Sequence, residues 1–146
     1  MGVLISKSEG GIDVRREGRG VIISIMDKFF FETGSADLKE SSKGLLDKIF
    51  LAVSKYKNMI RIEGHTDNIP IGTNKYPSKW EVSASRAINV AKYFVKKHGI
   101  QPGRISTSCY SSYKPVVSND TPEGRSKNRR VDIVVMNESE SQKEPL

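Results

Sequence analysis

Between Ser78 and Gly99 the chain carries the signals for both ends of one helix, and no other feature restricts its fold so strongly. Ser78-Lys79-Trp80-Glu81 sets a hydroxyl three residues before a carboxylate, the reciprocal arrangement that satisfies N-terminal helix amides. Trp80, Ala84, Ala87, Ile88, Ala91, Phe94 and Val95 then share one face. Lys96, Lys97 and His98 fill a last turn where cations suit the helix dipole, and Gly99 ends the helix. A stripe of this kind has to be buried, so the flanking segments must supply an apolar surface.

They read as strands. Val21-Ile22-Ile23-Ser24-Ile25-Met26 is a β-branched run, Met59 to Glu63 alternates apolar and polar, Arg104 to Tyr110 alternates Ile105, Thr107 and Cys109, and Val131, Ile133 and Val135 mark a last strand. From Ser35, the positions Leu38, Leu45, Leu46, Ile49, Val53 and Tyr56 recur at helical steps, weakened by Gly44. Thr121-Pro122-Glu123 gives a cap residue and a proline at the first helical position, hence a short helix before the last strand. The expected fold is α/β: one sheet in β-α-β-α-β-(short α)-β order, four strands in all, with helices packed on one face. Residues 1–20, turn-prone and rich in Gly, Arg and Glu from Gly10 on, read as a lead-in; 21–136 form the domain; 137–146 are a polar, disordered tail. A chain of 146 residues can bury one core without staples, and the lone Cys109 excludes an internal disulfide and a Cys-rich metal site. Cys109 reads as a small core residue.

Enzyme signatures are missing: there is no Gly-x-Ser-x-Gly elbow, no His-Glu-x-x-His pair and no phosphate-binding glycine loop. His65 lies between Glu63 and Asp67, a poor metal set, and reads as a packing or loop-capping histidine; no metal, cofactor or catalytic residue is expected. No apolar run approaches the length of a membrane span, and the first residues lack the apolar region of a signal peptide. Met1-Gly2 with Ser6 fits the loose myristoylation pattern but reads as an initiation remnant. The sequons Asn119-Asp120-Thr121 and Asn137-Glu138-Ser139 matter only in a eukaryotic secretory setting.

The charge is uneven. Lys and Arg number 24 against 17 Asp and Glu, and from Arg86 to Arg130 ten basic residues face only Asp120 and Glu123. An anionic partner follows, whether nucleic acid, a membrane surface or a carboxylate-bearing polymer. Fixed polar groups can converge at Gly64-His65-Thr66-Asp67 and on the helix at Ser83-Ala84-Ser85-Arg86-Ala87. On spacing alone Asp67 reads equally as a loop cap and Arg86 as a solvated helix charge.

Three stretches together go further. Ile62-Glu63-Gly64-His65-Thr66-Asp67, then Asn74 to Ala87 with Tyr76-Pro77-Ser78-Lys79-Trp80-Glu81-Val82-Ser83, then Arg125-Ser126-Lys127-Asn128-Arg129-Arg130-Val131-Asp132-Ile133, resemble the peptidoglycan-binding domain of the OmpA/MotB family. The resemblance runs from about Ile22 to Val135 and includes Phe29-Phe30-Phe31-Glu32 and the passage from Gly99-Ile100 to Arg104-Ile105. The Tyr76 to Ser83 stretch and the extra residues after Asp67 are most similar to the flagellar stator branch, MotB, rather than to outer-membrane wall anchors of the OmpA and lipoprotein type.

The resemblance implies a domain that grips the diaminopimelate of the cell-wall stem peptide without hydrolysing it. The free end of that side chain is a zwitterion, and Asp67 and Arg86 supply a carboxylate for its ammonium and a planar fork for its carboxylate. Thr66, Phe31, Glu32, Ser83, Asn128 and Arg129 fall in the matching motifs; Glu32 stands where relatives often have Asp, and Val82 replaces a usual Leu. It also implies a periplasmic domain of an inner-membrane protein whose anchor lies outside these residues, a MotA-type stator partner and a homodimer. Against this, Arg129-Arg130 with Tyr110 and Tyr113 can be read as a basic nucleic-acid-binding module, but no RNP-like aromatic strand pattern accompanies them, so nucleic acid is not expected as the partner.

Overall fold

The computed structural model describes residues 11–70 and 73–137. Met1-Gly2 and the tail beyond Asn137 lie outside them. The strands are β1 (Ile12–Glu17), β2 (Gly20–Met26), β3 (Ile60–His65), β4 (Ile105–Cys109) and β5 (Arg130–Met136); the helices are α1 (Ser42–Val53), α2 (Lys79–His98) and α3 (Pro122–Asn128). The sheet order is β1-β2-β5-β3-β4, with β3 and β4 parallel and the other neighbours antiparallel.

The sheet therefore has five strands among the described residues, where the sequence reading expects four. The addition is β1, inside the segment read as a lead-in. Ile12 and Val14 alternate there with Asp13, Arg15 and Glu17, a pattern short enough to be hidden by its charges, and the strand pairs from Ile12↔Ile25 to Glu17↔Gly20. Gly20 turns the chain back at φ 140°, where a Cβ would stand 2.1 Å from the Val135 carbonyl oxygen.

α1 starts at Ser42, not near Ser35. Leu38, expected on its stripe, instead forms a β-bridge with Phe31, and the Lys39 amide donates to the Phe30 carbonyl. The segment before α1 is thus a tied-down loop that reaches α2, where its Ser35 carbonyl accepts from Arg86 Nε. α2 keeps its expected limits: Ser78 Oγ accepts from the Trp80 amide and donates to Glu81, and Gly99 closes the helix at φ 71°.

The core lies between one sheet face and two helices. Ile23, Ile25, Ile60, Ile62, Val131 and Ile133 meet Leu46, Ile49 and Val53 of α1 and Ala87, Val90 and Phe94 of α2. α2 comes so close to β3 that a Cβ on Gly64 would lie 2.0 Å from the Ser83 carbonyl oxygen. This contact fixes the start of α2 over the carboxyl end of β3.

Candidate functional site

The register sets the site. Met26, Arg130 and His65 form one row across β2, β5 and β3, and the residues one step beyond that row are Asp27, Arg129 and Thr66. The amide of Asp27 donates to the Arg129 carbonyl at 2.8 Å, extending the ladder by one bond. β3 and β4, being parallel, end together with Gly64 opposite Cys109, so the loops carrying Asp67 and Ser111 are neighbours. The amino end of α2 arrives at the same place. Carboxyl ends of strands beside a helix start are where α/β folds collect ligand-facing groups.

Five charges alternate there. Arg86 Nη1 donates to Asp27 Oδ2 at 2.7 Å; Arg129 Nε lies 3.8 Å from Asp27 Oδ1 while its Nη1 donates to Asp67 Oδ2 at 2.6 Å; Lys79 Nζ reaches Asp67 Oδ1 at 3.3 Å. Asp67 is only 3% exposed. Burial pushes its carboxyl up, but the Arg129 hydrogen bond, the Ile69 amide and Lys79 reverse that and hold it below the ordinary carboxylate range.

Arg86 is 4% exposed and firmly held. Its Nε donates to the Ser35 carbonyl at 2.9 Å, its Nη2 lies 3.4 Å from the Glu32 carbonyl, and the guanidinium sits 4.8 Å from the Phe31 ring centre. Three of the five guanidinium N–H groups are thereby engaged, and the other two make no hydrogen bond among the described residues. The side chain of Arg129, by contrast, is 36% exposed and forms the outer wall of the site.

The residues singled out from the sequence divide into two groups. Asp67, Arg86 and Arg129 converge directly, with Phe31 beneath Arg86. Thr66 is buried with its amide on the Ser111 carbonyl, and Ser83 is buried with its hydroxyl donating to the Trp80 carbonyl and accepting from the Ser111 amide, so both brace the loops. Ser111 holds a left-handed φ of 52° to make those two bonds. Asn128 is also buried; its amide oxygen accepts from Val116 and Val117 and its nitrogen donates to Val117 and Asn119, which shapes the 116–119 loop. Glu32 does not join: its carboxylate is 79% exposed beside Lys39, and only its backbone carbonyl faces Arg86. Asp27 and Lys79 complete this charged cluster and were not singled out from the sequence. The ladder-end position of Asp27 was the available signal, but its pairing depends on strand order.

A second polar cluster lies on the opposite face of the sheet. Ligand-type atoms of Glu63, His65 and Asp132 come within 4.8 Å of one another. Arg19 already holds Glu63 at 2.5 Å, and Arg130 and the Ser24 hydroxyl hold Asp132, so both carboxylates are already neutralised and a divalent cation would have to displace their guanidinium partners. Burial raises the Glu63 carboxyl, yet His65 and Arg19 lower it to about 2. The His65 ring stacks on Tyr110 at 5.1 Å, with its Nε2 3.5 Å from Asp132 and 3.7 Å from Glu63, too far for hydrogen bonds. The cluster is an ion-pair network under the sheet, in keeping with a packing histidine.

Residues 30–129 match the OmpA family. Motility protein B of Bacillus subtilis is 36% identical over 132 residues, covering 89% of this chain and 50% of that protein. The cell wall anchor of the type VI secretion system (T6SS) from Pseudomonas aeruginosa superposes with a TM-score of 0.81 at 34% identity, covering 88% of this chain and 89% of the other. The periplasmic domain of Helicobacter pylori MotB gives 0.80 at 27% identity, covering 88% and 83%. The chain spans about half the length of the curated relatives it matches first. Among the described residues no helix is long and apolar enough to cross a membrane.

Proposed function

Because the chain belongs to the OmpA family, as its match over residues 30–129 establishes, we propose that it is a non-catalytic peptidoglycan-binding domain that anchors a flagellar stator to the cell wall. The observation that carries this reading is the alternating set Arg86, Asp27, Arg129, Asp67 and Lys79 at one end of the sheet. A zwitterionic amino-acid terminus, such as the free end of diaminopimelate, complements it. The ligand ammonium replaces Arg129 and Lys79 as the partner of Asp67. The ligand carboxylate takes the guanidinium of Arg129 so released, together with the two unengaged N–H groups of Arg86. Asp27 keeps Arg86 fixed throughout, and no covalent bond is made or broken.

The stator role is supported by the similarity to Motility protein B and to the H. pylori MotB periplasmic domain. In that role the domain lies in the periplasm, is tethered to the inner membrane through residues outside this chain, pairs with a MotA-type subunit and works as a homodimer. Ion flow then turns the rotor because the wall holds the stator still. Co-sedimentation with purified sacculi tests the binding: the parent domain is expected in the pellet, and a folded Asp67→Asn variant in the supernatant. If both variant and parent pellet equally, the site is elsewhere. Restored swimming when the domain replaces that of a MotB protein tests the motor role, and failure to restore swimming with binding intact points to an outer-membrane or other wall anchor.

A further inference from the structure

Two large aromatic side chains stand exposed on the rim of this site. Trp80 is 46% exposed and Tyr113 71% exposed, and their rings stack with centroids 5.6 Å apart and planes 28° from parallel. They come from different elements. Trp80 is in the first turn of α2, one residue after the Lys79 that pairs with Asp67; Tyr113 is on the loop after β4, held through Ser111 to Thr66 and Ser83. The Tyr113 amide also donates to the Tyr110 carbonyl at 3.0 Å, which fixes the turn that presents the ring. Paired aromatics left in water beside a polar site mark a surface that is completed by something else.

We propose that the stacked Trp80–Tyr113 pair, whose inner faces cover each other, offers its outward aromatic face as a sugar-stacking platform that receives an N-acetylhexosamine ring of the glycan strand. This rests on the reading of the Asp67 site as the peptide-binding site, since the stem peptide held there is joined covalently to the glycan and must leave over the rim. A pyranose ring has one face of C–H bonds that fits an aromatic plane, while its hydroxyl and acetamido groups stay at the edge for water. The ring is uncharged, which suits a platform whose flat area carries no ionic group of its own. The neighbouring cations are turned elsewhere, Lys79 Nζ to Asp67 and Lys114 Nζ over the Tyr110 ring, which leaves the sugar edge to water. The domain then reads two parts of one polymer, charge at Asp67 and ring shape at Trp80, and the paired contacts strengthen each other through effective concentration.

The chain contains a single tryptophan, so its emission reports on the platform directly. The experiment titrates three probes into the intact chain: an uncharged N-acetylglucosamine dimer, a peptide-free glycan disaccharide of peptidoglycan, and a stem peptide carrying no sugar. Both sugars are expected to change the Trp80 emission, Tyr113→Ala to weaken that response about tenfold, and Asp67→Asn to leave it unaltered while abolishing peptide binding. Calorimetry on Trp80→Phe, expected to retain most of the sugar affinity, and on Trp80→Ala, expected to lose it, covers the variants without a reporter; circular dichroism checks their folding. Peptide binding with no sugar response up to the solubility limit overturns the platform and leaves the Asp67 reading intact. A sugar response without peptide binding overturns the Asp67 reading instead. If an oligonucleotide changes the emission and the sugars do not, or if Trp80→Ala turns a dimer into a monomer without affecting sugar affinity, the surface serves another partner and the proposal fails.

Discussion

At the scale of single residues, Arg86 and Arg129 carry the same charge but hold different positions, and substitutions should separate them. Arg86 is buried against Ser35, Asp27, Glu32 and Phe31, and a lysine cannot reach the two carbonyls and the carboxylate together. Arg86→Lys is expected to lower unfolding free energy by about 2–4 kcal/mol in urea titration, as breaking a buried ion pair does. Arg129→Lys, at a half-exposed position, should change stability by less than about 1 kcal/mol and yet weaken sacculus binding, because the second parallel bond to a carboxylate is gone. Lys96 is exposed at the far end of α2, and Lys96→Ala should leave both measurements unaltered at physiological salt. Asp67 adds a pH dependence. Its carboxyl is held below the ordinary range, so it stays ionised as the solution is made mildly acidic, and peptide affinity should be flat from neutral pH downward until the ordinary carboxylate range has been passed. An affinity that falls already between pH 7 and 6 would place the controlling titration on another group. The resemblance singled out Asp67, Arg86 and Arg129, which the structure brings together at one end of the sheet. Asp27 was not among them, because nothing local to it shows that β5 will bring Arg129 alongside.

At the scale of elements, α2 was legible from end to end because its stop signals are chemical: a hydroxyl, a carboxylate and a glycine in fixed positions. Ser78→Ala should cost about 1 kcal/mol through the lost cap, read as a lowered unfolding midpoint. Gly64→Ala should cost more, roughly 1–3 kcal/mol, since the added methyl meets the Ser83 carbonyl and pushes the start of α2 away from β3; sacculus binding should fall with it. The start of α1 was misread because Leu38 fits a helical period by coincidence while pairing with Phe31 as a bridge. β1 was missed because four of its six side chains are charged, and three of them, Asp13, Arg15 and Glu17, are needed on the far face of the sheet: Arg15 reaches Ser24 at 2.7 Å and lies 3.7 Å from Asp132. That face predicts acid sensitivity. Glu63 falls from 4.5 to about 2 on folding, so it contributes stability that is fully present above pH 4.5 and is lost as pH drops toward 2, to a total of roughly 3 kcal/mol. Glu63→Gln should flatten this part of the stability profile, measured by urea unfolding across the acid range.

At the scale of the whole molecule, the expectation of one α/β layer with two helices over a sheet agrees with the structure, and strand order is what periodicity could not supply. Strands that alternate with helices are compatible with many orders, and the choice is made by long-range pairing rather than by local pattern. The homodimer proposed for the stator can be checked by sedimentation equilibrium. A concentration-dependent rise toward twice the monomer mass is expected, and a monomer at every concentration would remove self-association by this domain from the proposal. The last strand, β5, lies in the middle of the sheet, pairing Gly20 with Met136 on one side and Ile60 with Val135 on the other. Until Met136 is available, the β1-β2 hairpin and the β3-β4 pair have nothing between them, so no partial sheet can serve as a stable resting place. A chain threaded amino end first through a narrow pore would stay pliable for its whole passage and snap shut only when its closing segment emerged. Synthesis and passage would then always run ahead of folding, and truncation just before β5 should yield an unfolded chain rather than a smaller domain.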